Sequence, residues 1–248
     1  MRKTAARTTS AHPVTWLVLC DTDDADGLWA AERLARLGNR PVRVLTSRDL
    51  STAYDWTHRI GSSGSHVTFT TASGARFVSS GFQGTVNRLR RVPALPALTR
   101  AVPADRSYAL AEWSAFFLGW LRSLPGPVLN PPDPRGLCGA ERDPREWRTL
   151  ARAAGLVTGP ASLPPYEERT DVIAIGDRVV PCSPQAPPLA RETVDACLRL
   201  AAAARTPLLG ITLTSADAAI LAATVRPGLR PGGPAAVGAL ARALSRRP

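Results

Sequence analysis

Apolar residues run without a break through "WLVLC" (16–20) and return in "PVRVLT" (41–46). Between them lie an acidic loop and a stretch in which Leu28, Trp29, Leu34 and Leu37 recur near helical spacing, with Gly38 as a stop. Two short apolar runs around an amphipathic helix predict a β-α-β unit and a parallel sheet. From 54 to 89 the pattern shortens. "YDWTHRI", "HVTFTT", "ARFVSS" and "GTVNRL" are β-branched and aromatic, are separated by Gly and Ser, and read as strands joined by tight turns.

Residues 103–124 predict the strongest helix. Asp105 is placed as its N-cap, and Tyr108, Trp113, Phe116, Phe117, Trp120 and Leu124 form a broad apolar face that reads as core. In "PGPVLNPPDPRGLCG" (125–139) a short strand ends at Asn130 and breaks at Pro131, Pro132 and Pro134, which predicts a sharp corner. Asp143, Pro144 and Glu146 then open a helix with a capping box. A hairpin over 170–181 turns at Gly176-Asp177. A helix (190–204), strands at 208–213 and 218–225, and a helix over 233–246 complete the chain.

Composition narrows the function classes. A chain of 248 residues buries roughly 70–75% of its extended surface. No apolar run of about 18 residues is present, so no membrane partner is expected. The basic start "MRKTAARTTSAHP" (1–13) lacks an apolar stretch and reads as a disordered tail of a cytoplasmic protein. The formal charge of +11 points to an acidic partner. Six positive charges (Arg2, Lys3, Arg7, Arg242, Arg246 and Arg247) lie at the ends, and the others are mostly lone arginines without interleaved aromatics, so no nucleic acid is expected. Cys20, Cys138, Cys182 and Cys197 are scattered, form no C-x-x-C pair and have only three histidines to join. They read as buried reduced thiols, with no metal centre.

Three groups carry candidate chemistry. Asp21, Asp23, Asp24 and Asp26 follow the first strand, where carboxylates could bind magnesium or an amine, or simply favour the helix start. Asn87, Arg88, Arg90 and Arg91 end a strand, where they could hold peptide carbonyls and carboxylates or protect a sheet edge. Tyr108, Glu112 and Trp113 share the long helix and are placed at the same junction. Glu112 reads as an acid–base group or as a partner for an arginine such as Arg88. No Ser/His or Cys/His arrangement supports a nucleophile.

The order of elements in the second half, with "EWRTLARAAGL" (146–156), "VIAIGDRVV" (172–180) and "GITL" (210–213), resembles the end of an ATP-grasp ligase. The first half resembles the pre-ATP-grasp domain of ligases acting on ribosomally synthesised, post-translationally modified peptides (RiPPs). The resemblance implies an α/β (α+β) protein: a pre-ATP-grasp-like domain over 14–125 and a truncated ATP-grasp-like domain over 126–248. It also implies a peptide-facing cleft drawing on Asn87, Arg88, Arg90, Arg91, Tyr108, Glu112, Trp113, Asn130 and Arg135.

Against the family pattern, Lys3 is the single lysine, and the fifteen residues 157–171 are too few for the central domain with its glycine-rich lid. Ala223 and Val225 or nearby residues stand where a magnesium-binding Glu-x-Asn pair should fall. The expectation is therefore a cofactor-free, non-catalytic protein that binds a precursor peptide and presents it to a modifying enzyme of the same pathway; a homodimer is compatible with this. The alternatives are a metal-dependent enzyme built on Asp21–Asp26, or an accessory subunit of an intact ATP-grasp ligase.

Overall fold

The computed structural model describes residues 15–62, 64–160, 165–186 and 188–246; the N-terminal tail lies outside the described residues. In chain order the elements are β1 (Thr15–Cys20), α1 (Ala25–Arg36), β2 (Val42–Thr46), α2 (Ser47–Ser51), β3 (Tyr54–Gly61), β4 (Gly64–Thr70), β5 (Arg76–Val78) and β6 (Phe82–Arg88). They continue with α3 (Pro103–Arg122), β7 (Val128–Leu129), α4 (Pro144–Ala153), β8 (Arg169–Ile175), β9 (Arg178–Pro181), α5 (Arg191–Ala203), β10 (Leu208–Thr214), β11 (Ile220–Thr224) and α6 (Gly233–Leu244). This is a mixed α/β fold, as the sequence predicts.

Three sheets organise it. The first is parallel, in the order β2-β1-β6-β7. Its central strand β1 is buried on both faces. Trp16, Val18 and Cys20 point to one side with Ala30, Ala31 and Leu34 of α1, and Leu17 and Leu19 point to the other. That alternation explains the unbroken apolar run, since a parallel strand is covered on both sides. The second sheet, β11-β10-β8-β9, and the third, β3-β4-β5, are antiparallel.

Helix α6 holds the first two sheets together. Ala236, Val237, Ala239, Leu240, Ala243 and Leu244 join a core containing β1 on one side and Ile173, Ile175 and Val180 on the other. A helix apolar nearly all round must be buried. Its small residues allow close approach: a Cβ on Gly84 of β6 would sit 2.6 Å from the Leu244 carbonyl oxygen. Helices α4 and α5 cover the opposite face of the second sheet through Trp147, Ala151, Cys197 and Leu200 against Val172 and Ala174. The third sheet and α3 form an aromatic core, in which Trp56 stacks on Phe69 and meets Trp113, Phe116 and Trp120 edge-on.

Several local expectations change. The buried face of α1 is Gly27, Ala30, Ala31 and Leu34, while Leu28 and Leu37 are exposed. The sheet approaches the helix too closely for a leucine stripe: a Cβ on Gly27 would lie 2.8 Å from that of Cys20. The N-cap of α3 is Val102, with Pro103 opening the helix and Asp105 in its first turn. Tyr108 is exposed rather than part of the core. Three of the cysteines are buried, but Cys182 is only half-buried. The α4 capping box between Asp143 and Glu146 forms as predicted. Among the described residues no helix is long and apolar enough to cross a membrane.

Candidate functional site

β1 leads through α1 to β2 on one side, and the chain later returns as β6 on the other side of β1. Ligands of open α/β sheets bind outside the carboxyl ends of the strands at such a reversal. Here Cys20 lies opposite Arg88 in register, so the residues after β1 and those at the end of β6 meet. An open cleft of about 570 Å³ lies there, walled also by Arg142 and Trp147 from the α4 region and by residues 223–226 at the end of β11.

The acidic cluster is neutralised from within. Asp24 caps α1 by accepting from the Gly27 N–H at 3.1 Å, and it also accepts from Arg88 Nε at 2.7 Å and Nη2 at 3.0 Å. Arg88 is almost fully buried and spends a third donor on the Pro227 carbonyl. Arg90 donates to Asp21 at 2.7 Å and to both Asp23 oxygens at 2.8 Å. Asp26 accepts the backbone N–H groups of Leu229 and Arg230, tying the start of α1 to the chain after β11. Burial pushes the Asp24 carboxyl up, but hydrogen bonding and charge from Arg88 outweigh it and hold it below the usual aspartate value. A hydrogen bond from Arg90 likewise lowers Asp23.

The two asparagines lie below this surface. Asn87 and Asn130 are fully buried. Asn87 donates to the carbonyls of Asn130 and Leu137 at 2.9 and 2.6 Å. Asn130 donates to the carbonyls of Leu208 and Val225, both at 2.7 Å, and accepts from the Leu208 N–H at 2.9 Å. Its backbone is left-handed (φ 64°), a conformation asparagine tolerates better than most residues. Asn130 is therefore a buried splice between the first and second sheets, while Pro134 at the far end of the corner is exposed.

The remaining candidates are dispersed. Arg91 is exposed and lines a smaller cavity of about 350 Å³ with Ser47 and Thr22. Tyr108 and Glu112 are exposed on α3 and belong to neither cavity. Glu112 is thus outside an apolar setting, and the carboxylate paired with Arg88 is Asp24. Trp113 packs in the aromatic core and donates to the Pro93 carbonyl. Arg135 is an exposed partner of Glu146. Sequence reasoning missed Arg142, Trp147 and Arg226 as parts of the cleft. Arg142 lies 5.3 Å from the Trp147 ring centre. No local pattern distinguishes these arginines from others on the chain.

This arrangement, a short parallel sheet and an antiparallel sheet meeting around a shared helix with a cleft at the strand reversal, is an ATP-grasp-like fold. The chain has the fold of RiPP-associated ATP-grasp ligases. It is similar to such a ligase from Chryseobacterium gregarium, in complex with ADP and a leader and core peptide. That match has 9% identity and a TM-score of 0.67 over 93% of this chain and 96% of that one. It is similar too to the macrocyclase MdnC bound with precursor peptide MdnA, from Microcystis aeruginosa MRC (12% identity, TM-score 0.65, 93% and 99% of the chains). The ATP-grasp ligase PsnB complexed with a minimal precursor aligns at 16% identity and a TM-score of 0.61, over 94% and 98%. No protein-family model and no curated protein matches the sequence.

Proposed function

We propose that this chain binds a precursor peptide in RiPP biosynthesis and presents it to a separate modifying enzyme, with no ligase chemistry of its own. Similar folds crystallised with precursor peptides support the peptide partner. The division into a pre-ATP-grasp-like unit (14–125) and a shortened ATP-grasp-like unit (126–248) is part of the proposal.

The observation that carries the non-catalytic reading is the state of the cleft's charges. Each carboxylate after β1 is engaged by an arginine or by backbone N–H groups, leaving none as a free metal ligand. The β11 wall contributes Ala223, Thr224 and Val225, a poor donor set for magnesium. The single lysine is Lys3, and arginine is not an equivalent replacement at a phosphate. The residues present do not fit a magnesium nucleotide. A metal-dependent enzyme built on Asp21–Asp26 loses support for the same reason; among the described residues no group of three or more His, Cys, Asp or Glu side chains could hold a metal ion.

Isothermal titration with a precursor peptide sought among the short reading frames flanking the gene tests the reading, together with an assay for ADP release from ATP and Mg²⁺. Saturable peptide binding without ADP release is the expected result. Peptide-dependent ADP release refutes the non-catalytic part, and absence of binding at high micromolar peptide refutes the whole.

A further inference from the structure

The outermost strands of the three sheets are protected unequally. In the second sheet β11 is covered: the Gly159 N–H donates to the Ile220 carbonyl and the Ile220 N–H to the Val157 carbonyl. The edge strands β2, β5, β7 and β9 have only two to five residues. β3 has eight, contains no proline, and among the described residues pairs only with β4. A long uncovered edge is a template for another strand. Exposed apolar surface gathers around it. Of the large apolar side chains exposed among the described residues, Tyr54, Ile60, Val102, Tyr108 and Leu110 belong to β3 or to α3 and its N-cap. The two elements form one body, since Trp56 and His58 both meet Phe116 edge-on. Ile60 is 80% exposed.

We infer that β3 is the pairing edge of a symmetric dimer, in which the strands of two copies run antiparallel about Thr57. The strand is its own complement in charge. Asp55 and Arg59 flank Thr57 at equal spacing and are both exposed. Among the described residues neither has an ion-pair partner within the chain. A bulge interrupts the β3–β4 ladder between Tyr54 and Thr57. With that bulge, Arg59 of one copy falls beside Tyr54 and Asp55 of the other, a ring and a carboxylate that both attract a guanidinium. The twofold axis repeats the contact, as an isologous interface requires. An in-register parallel pairing, or an antiparallel one centred on Arg59, would oppose like charges instead. No residue of β3 or α3 lines the cleft after β1, so each copy keeps its own cleft and the inference does not depend on what that cleft binds.

Sedimentation of the full chain from low to high micromolar concentration tests this. The wild type should move from the 26.3 kDa of one chain toward twice that mass. Ile60→Lys changes a side chain outside the core and should weaken association about tenfold. Asp55→Lys and Arg59→Glu should each weaken self-association. Mixed together, the two variants should pair with one another, because each substituted side chain then meets an opposite charge. Hydrogen exchange over residues 57–61 should slow as the dimer forms. A monomer at every concentration, or a dimer indifferent to all three substitutions, overturns the inference. So does a mixture of the charge variants that associates no better than either alone. If added precursor peptide, and not protein concentration, slows exchange over 57–61, the edge belongs to the peptide and the second copy is ruled out.

Discussion

Asn87 donates its side-chain N–H to the main-chain carbonyl of Asn130 at 2.9 Å, joining the end of β6 to the corner after β7. Asn130 in turn bonds both the N–H and the carbonyl of Leu208, as a neighbouring strand would, and so carries the first sheet into the second. The pair has no free hydrogen-bonding face for a peptide. It holds the two walls of the cleft at a fixed separation.

Replacing Asn130 with alanine is expected to remove three buried hydrogen bonds and strain a left-handed backbone position. The loss should be on the order of 3–5 kcal/mol, read from urea unfolding. Asn130→Gly should relieve the backbone strain and recover only a fraction. Equal loss in both variants would remove the backbone from the account.

The Arg88–Asp24 pair predicts a dependence on pH. Asp24 is held below the aspartate value of the unfolded chain, so its contribution is fully present above about pH 4. It is lost as pH falls through the depressed folded value. Arg88→Ala strips a buried carboxylate of its two charged hydrogen bonds, leaving the Gly27 N–H and Arg226 at 3.9 Å, at a cost of about 3 kcal/mol near neutrality. In that variant protonation relieves the buried charge, so the gap from wild type should narrow on acidification. A constant gap between pH 7 and pH 4 would contradict this.

Gly84→Ala tests the close contact of β6 with α6. The added methyl meets main-chain atoms of Leu244, which cannot move without shifting the helix. A cost of about 1–3 kcal/mol is expected, seen as a lowered Tm. An unchanged Tm would mean that α6 gives way freely.

The thiols are expected to be inert in the native state. Burial pushes Cys20 up to about 12 and Cys138, Cys182 and Cys197 up to about 11, with the charge of Asp24 adding to the rise at Cys20. Titration with a thiol-reactive disulfide at pH 8 should give a slow reaction before denaturant and four thiols after it. A fast native phase would identify Cys182, the half-buried one, as more open than its surroundings suggest.

Much of the chain is legible residue by residue. The α4 capping box spans Asp143 to Glu146, the β8–β9 turn needs only Gly176 and its neighbours, and β1 declares burial by its composition. Such features rest on contacts a few positions apart or on the hydrophobicity of one short run. The short helix α2 was open to the same reading, since Thr46 and Asp49 form a capping box. Leu28 and Leu37 misled because helical spacing reports an apolar stripe but not the distance to the neighbouring sheet, which here admits only small residues.

The sequence alone therefore determined the order of most elements, the fold class and the resemblance to an ATP-grasp ligase. Tertiary structure decided the chemistry of the cleft. Arg88 finds Asp24 across 64 positions and Pro227 across 139, and Asn130 finds Val225 across 95. An aspartate after a strand reads the same whether it is a free ligand or half of an ion pair. Only the return of β6 beside β1 brings the arginine that makes it the latter. The same closure leaves Arg226 with donors unspent, because its two nearest carboxylates are already taken.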